Sequence, residues 1–307
     1  MVCNAKLLCA AVALSSSMVL ATDLTSYSVG NSLTEDMYKT LGGIMSARGV
    51  NWSSGFEMRS STSLTQLYTV PSDFTYTVDT SGKTVRSPTT PGFTWDVALP
   101  HNNWNVATFQ PYYGNAQYTS TLATDTAAVN GLITSTHSAG ANADTRFYVY
   151  APWSRVNFAK RDSSGFDSGW IAPTPRQQTE NTTLSRAYFS DLLSSVRQSN
   201  PNVHVIPAGE VLYQLDLRMQ HGEIPGFTTV AQLHRDDVHL NALGKHIAAC
   251  TVFSTLTSQS PVGLAYLPGP TDPVVSDVAL ERMQQTVWNV VTSDPTVTGV
   301  TTPTTSR

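Results

Sequence analysis

The feature that most constrains this chain is a repeated switch of hydrophobic period. Short apolar runs that read as strands alternate with longer stretches whose apolar residues recur every three or four positions. Residues 24–29, 50–58, 105–109, 146–150 and 203–206 are the strand-like runs, and in the second Val50, Trp52, Ser54, Phe56 and Met58 alternate. Between them Leu33, Met37, Leu41, Ile44 and Met45 share one helical face that ends near Gly49. Residues 119–137 read as an Ala-, Thr- and Leu-rich helix, and Leu184, Tyr188, Leu192 and Val196 mark the next one. Val211, Leu212, Leu215 and Met219 mark another, as do Leu243, Ile247, Cys250 and Phe253 after Asn241, and a last one covers residues 278–291. Strands that alternate with helices call for a parallel sheet with helices on its faces. Five such strands in 307 residues fit one doubly wound α/β domain. In that architecture the reactive groups gather at the carboxyl ends of the strands.

Three stretches depart from the alternation. Residues 60–104 are rich in Ser, Thr, Pro and Gly and read as an irregular insertion, with one strand-like run at 74–78. Residues 154–180 carry Gly and Pro without apolar periodicity, a loop long enough to be functional. From Thr296 the chain is Thr-rich and reads as a disordered tail, 296–307. The first 21 residues read as a secretory signal: Lys6, an apolar run at 7–14 too short to span a bilayer, and Val19-Leu20-Ala21 before a cleavage at Thr22. The expected product is a secreted domain over residues 22–295, extracellular or periplasmic, without stable membrane insertion.

Composition narrows the classes further. Charged residues are 13% of the chain, net charge is −4, and no Lys/Arg run occurs, which excludes nucleic acid as the partner. An apolar content of 40% excludes wholesale disorder. Cys3 and Cys9 fall in the leader, so Cys250 is left alone in an apolar helical pattern and reads as a small buried hydrophobe. Asn51-Trp52-Ser53 and Asn181-Thr182-Thr183 match the glycosylation pattern.

Two segments carry chemistry. The first strand ends in Val29-Gly30-Asn31-Ser32-Leu33 and a helix starts at once, so the Ser32 hydroxyl lies at the carboxyl edge of the sheet. Its backbone N–H lies at a helix N-terminus, where free donors and the dipole favour developing negative charge. By itself this is also ordinary capping chemistry. The second segment is His234-Arg235-Asp236-Asp237-Val238-His239-Leu240-Asn241. Asp236 and His239 are three apart, close enough for the carboxylate to hold the imidazole Nδ1 and leave Nε2 free to take a proton. By itself this is a charged loop in which Asp237 or Asn241 caps the next helix. A nucleophile needs a base and the base an orienting group, and the two segments together provide all three.

Gly30-Asn31-Ser32-Leu33 near the mature N-terminus, with Asp236-x-x-His239-Leu240-Asn241 near the C-terminus, resembles the SGNH/GDSL hydrolases over residues 22–264. The resemblance implies a three-layer flavodoxin-like α/β fold with a central parallel sheet of about five strands. It also implies a serine esterase that needs no cofactor, with Ser32 as nucleophile, His239 as base and Asp236 as its partner. The sequence departs from the family in having Gly-Asn-Ser for Gly-Asp-Ser and in lacking the Gly-x-Asn-Asp block after the third strand. Gln110 stands there and offers an amide to the oxyanion, with Asn102, Asn103 and Asn115 as competitors; the loop 60–63, through Ser61, offers a backbone N–H. Trp153 and Tyr112, after strand ends, are expected to line the substrate pocket, and Arg155 to meet an acidic group. The His234, Asp236, Asp237 and His239 spacing matches no closed zinc pattern, so no metal is expected. The expected substrate is an acylated polysaccharide or another ester. The alternatives are longer acyl chains, or glycan binding without catalysis.

Overall fold

The computed structural model describes residues 22–71, 74–78, 84–88, 94–112, 120–138, 142–172 and 184–301. The leader-like residues 1–21, Tyr113, Asn115, the Asn181 sequon and residues 302–307 lie outside the described residues. In chain order the elements are β1 (Thr22–Gly30), α1 (Ser32–Ala47), β2 (Val50–Met58), α2 (Leu64–Thr69), β3 (Phe74–Val78), β4 (Thr84–Pro88) and α3 (Trp95–His101). They continue with β5 (Val106–Phe109), α4 (Leu122–His137), β6 (Arg146–Tyr150), α5 (Ser164–Trp170), α6 (Arg186–Arg197), β7 (Val203–Ile206) and α7 (Ala208–Gln220). A 3-10 turn (Val230–Leu233), α8 (Ala242–Thr257), α9 (Asp277–Ser293) and α10 (Pro295–Thr298) complete the chain.

The strands form one sheet in the order β4-β3-β2-β1-β5-β6-β7. β2, β1, β5, β6 and β7 are mutually parallel, the five-stranded parallel sheet expected of the alternation and the flavodoxin-like layering that the resemblance implies. β1 is central, and its inner half, through Tyr27 and Val29, is buried as a parallel strand covered on both faces must be. Helices α1, α7, α8 and α9 pack on one another as one layer, and α2, α3, α4 and α6 as another. Leu33, Met37, Leu41 and Met45, the predicted apolar face of α1, are each at most 1% exposed. α8 is buried on every face from His246 to Leu256, and Cys250 inside it is a buried free thiol whose pKa burial pushes up.

The described residues of 60–104 are not irregular. They hold α2, α3 and the β3–β4 pair, which extends the sheet antiparallel from the β2 edge with Phe56 opposite Tyr76 and Phe74 opposite Pro88. The predicted loop 154–180 contains α5. The Thr-rich end also begins later than position 296: Asp294 caps α10, Thr298 is 2% exposed and Val300 is 1% exposed. Composition misled at each place, because these short elements are held by tertiary partners rather than by a period of their own.

The order of β2, β1 and β5 places the topological switch between β1 and β5, since the chain leaves β1 to one side and later returns to the other. In doubly wound sheets ligands bind at the carboxyl ends beside that switch. β1 ends at Gly30 and β5 at Phe109, so Ser32 and Gln110 are the residues delivered to it.

Candidate active site

Asn31 is extended (φ −133°, ψ −160°) and caps α1, its Oδ1 accepting from Leu33 N at 3.0 Å. Its Nδ2 donates to the Thr62 carbonyl at 3.1 Å, tying the turn to the loop after β2. Gln110 braces the same turn from below. Its Oε1 accepts from Asn31 N (3.2 Å), Thr34 N (3.1 Å) and the Thr34 hydroxyl, and its Nε2 donates to Asn31 Oδ1 at 2.8 Å. Gly30 permits this approach, because a Cβ there would run into the Thr34 hydroxyl and the Gln110 side chain. The Ser32 N–H, at the first position of α1, has no intrahelical acceptor.

The second half is a loop. His234 and Leu240 form an isolated antiparallel bridge, and Arg235 N donates to His239 O at 2.9 Å. Asp236 Oδ1 accepts from Val238 N (2.8 Å) and His239 N (2.7 Å), and both carboxylate oxygens lie 3.0–3.1 Å from His239 Nδ1. Partial burial pushes the Asp236 carboxyl up, but the His239 and Val238 N–H groups and the imidazole outweigh it and hold it below its ordinary value. The carboxylate thus faces Nδ1 as an acceptor, and Nε2 lies 3.0 Å from the Ser32 hydroxyl. The structure thus brings Ser32, His239 and Asp236 into one hydrogen-bonded line at the switch point.

Several of the other expected roles come out differently. Gln110 is 1% exposed, and its amide is committed to Asn31 and Thr34. It supports the Ser32 turn and is not the free amide expected of it. Trp153 is 4% exposed and donates its indole N–H to Val238 O at 2.7 Å, so it braces the His239 loop instead of facing substrate. Tyr112 is 6% exposed and belongs to the core. Trp95, Trp104 and Trp170 likewise send their N–H groups inward, to Leu67 O, Ala98 O and Glu210 Oε2. Ser61 is exposed, left-handed at φ 56°, and adjoins the Thr62 carbonyl that takes Asn31 Nδ2. Arg155 is exposed one residue before Val156, whose N–H donates to Asp237 O at 3.0 Å. Asp237 caps no helix: its Oδ1 accepts from Phe158 N at 3.0 Å, and Asn241 caps α8. Among the described residues no three His, Cys, Asp or Glu side chains cluster to hold a metal, and no helix is long and apolar enough to cross a membrane.

Sequence reasoning missed Asp36, and it weighed His234 only as a metal ligand. Asp36 is a buried carboxylate one turn beyond Ser32 that accepts from Leu240 N at 3.2 Å. An acidic residue flanked by the apolar positions Leu33 and Met37 was the signal for it. His234 is buried with Nδ1 3.0 Å from Val230 O, and burial pushes its pKa down to about 4.

No protein-family model matches the sequence, and no curated protein matches it. Among solved structures the chain resembles a DUF4886 family protein from Bacteroides uniformis, with a TM-score of 0.61 and 17% identity over 88% of this chain and 95% of that one. The two share a fold. The protein YxiM from Bacillus subtilis aligns with a TM-score of 0.47 and 11% identity, over 80% of this chain and 59% of that one.

Proposed function

We propose that the protein is a serine ester hydrolase of SGNH type. The observation that carries this reading is the Ser32–His239 hydrogen bond of 3.0 Å, with Asp236 behind the ring. In the proposed cycle His239 Nε2 takes the Ser32 proton as Oγ attacks the ester carbonyl, and Asp236 holds the imidazolium that forms. The Ser32 N–H receives the developing oxyanion, and an N–H of the loop at Ser61 is the second donor; one such donor is worth about 10²–10³ in rate. His239 then protonates the leaving alcohol, activates a water, and the acyl group leaves Ser32 as a carboxylate. None of these steps draws on a cofactor.

The preferred substrate is a small O-acyl group, such as acetyl, on a polysaccharide outside the cell. The leader-like first 21 residues and a charged fraction of 13% support that choice. Hydrolysis of p-nitrophenyl acetate and octanoate by wild type and Ser32→Ala, with acetate release from acetylated glycans, tests both levels. Turnover lost in Ser32→Ala, with acetate favoured over octanoate, is the expected result. Octanoate preference would replace the glycan substrate by a lipid one, and no turnover by folded wild type on any ester would refute hydrolysis.

A further inference from the structure

Asp36 is four residues beyond Ser32 on α1, so its side chain leaves the helix on nearly the same face. Its side chain is 6% exposed, and each oxygen has a separate partner. Oδ2 accepts from Leu240 N at 3.2 Å, and Oδ1 lies 3.0 Å from Lys245 Nζ on α8 and 3.8 Å from Arg235 Nη2. Leu240 adjoins His239 in sequence. Arg235 Nε in turn lies 3.9 Å from Asp236 Oδ2, so the guanidinium spans the two carboxylates.

Packing does not call for this arrangement. Burying a carboxylate is unfavourable unless it is paired, and α1 already has an apolar face in Leu33, Met37 and Leu41. What a carboxylate adds is two acceptor oxygens that engage a backbone N–H and an ammonium at once. The His239 loop is internally braced through Asp236 and the His234–Leu240 bridge, so it behaves as one piece. Its seat relative to Ser32 has to come from outside. Trp153 and the N–H groups of Val156 and Phe158 fix it to the segment after β6. Asp36 fixes it to the helix that carries Ser32.

We propose that Asp36 is a positioning residue: through Leu240 N–H, Lys245 and Arg235 it sets His239 at hydrogen-bond distance from Ser32. This rests on the serine-hydrolase reading for its effect on rate, but not for its effect on geometry. The test combines ester kinetics with crystal structures of wild type, Asp36→Ala and Asp36→Asn. Asp36→Ala is expected to lose about 100-fold in kcat, the scale of a 1 Å misplacement. KM should change by less than about twofold, since ground-state binding is untouched. Asp36→Asn keeps an oxygen for Leu240 N–H without the charge, and recovers part of the loss. In the Asp36→Ala crystal the Nε2–Oγ separation should open beyond about 3.5 Å.

An active wild type with both variants at wild-type kcat would overturn the positioning role alone. A wild type that cleaves no ester would defeat the functional reading. The crystal of the variant would still decide the positioning, and an unchanged separation would refute it. Should Asp36→Ala fail to fold, Asp36→Asn carries both readouts, with a smaller fall in kcat at constant KM as the expected result and wild-type kinetics and geometry as the refutation.

Discussion

Ser32 stands where a buried parallel strand turns into a helix, whereas His239 stands on a loop with no ladder beneath it beyond the His234–Leu240 bridge. On the first side the backbone does most of the placing: β1 is paired on both flanks, and Asn31 and Gln110 cap the helix start. On the second side three carboxylates and an indole do it. Asp236 closes the loop on itself, Asp237 and Trp153 fasten it to the segment after β6, and Asp36 fastens it to α1. A nucleophile can be positioned by regular structure, which is stiff at no cost to side-chain chemistry. A base that must reach across from another part of the chain is positioned by acceptors for loose N–H groups, and these are sensitive to single substitutions.

The largest effect expected is on the pair itself. Ser32→Ala and His239→Ala should each remove about 10⁴-fold or more of esterase activity, because members of such a unit act together. Both variants should unfold in urea near the wild-type midpoint, since neither side chain is a buried support.

The next variant separates support from chemistry on the nucleophile side. Gln110→Ala strips the buried Asn31 and Thr34 N–H groups of their acceptor, and should cost about 3 kcal/mol in urea unfolding, with activity falling as the turn loosens. A stable but inactive Gln110→Ala would instead return the amide to an oxyanion role.

The loop side carries a pH signature that the strand–helix side lacks. Burial sets the folded His234 pKa at about 4 against an ordinary 6.5. Its contribution is therefore whole above pH 6.5 and is lost as the pH falls towards 4, by up to roughly 3 kcal/mol. His234→Asn keeps a donor near the Nδ1 position for Val230 O and does not titrate. Unfolding at pH 7 and pH 4 should show a smaller acid loss in the variant than in wild type. Asp125, which burial raises to about 6 against hydrogen bonds from Ser120, Tyr188 and Thr65, works the other way, gaining stability as the pH falls through 6. Equal acid losses in wild type and His234→Asn would mean that the ring is not held neutral in the fold.

The smallest effect expected is that of Trp153→Phe. It keeps the packing and removes one donor from the Val238 carbonyl, for about 1–2 kcal/mol of stability. If the loop is as dependent on single contacts as its construction indicates, kcat should fall more than stability does. Unchanged kcat would show that Asp36 and Asp237 suffice.

The sequence displays the regular side of this comparison better than the other. β1 with α1, and the strands β5, β6 and β7, are legible because their apolar periods are long enough to stand above neighbours. α3 is not, because it is fixed by partners outside its own period: Trp95 N donates to Glu57 Oε2 at 2.5 Å, 38 residues back, and Trp104 Nε1, just past the helix, to Ala98 O. α5 is a seven-residue helix whose end is set by Trp170 on Glu210. In the site, the meeting of Ser32, Asp236 and His239 is legible because the proposed roles demand those residue types at a strand end and three apart. The role of Gln110 is not, since its identity and place leave open whether the amide faces the solvent or the helix start. Its collision with any Cβ at position 30 settles that. Asp36 goes unread because its meaning lies in Leu240 and Lys245, some 200 residues away.

Intact-mass measurement after treatment with a fluorophosphonate, followed by peptide mapping, tests the central claim most directly. If His239 and Asp236 activate Ser32, wild type gains one phosphonyl adduct on the peptide containing Ser32, and Ser32→Ala and His239→Ala gain none. A wild type that remains unmodified, or an adduct that forms as fast without His239, would contradict it.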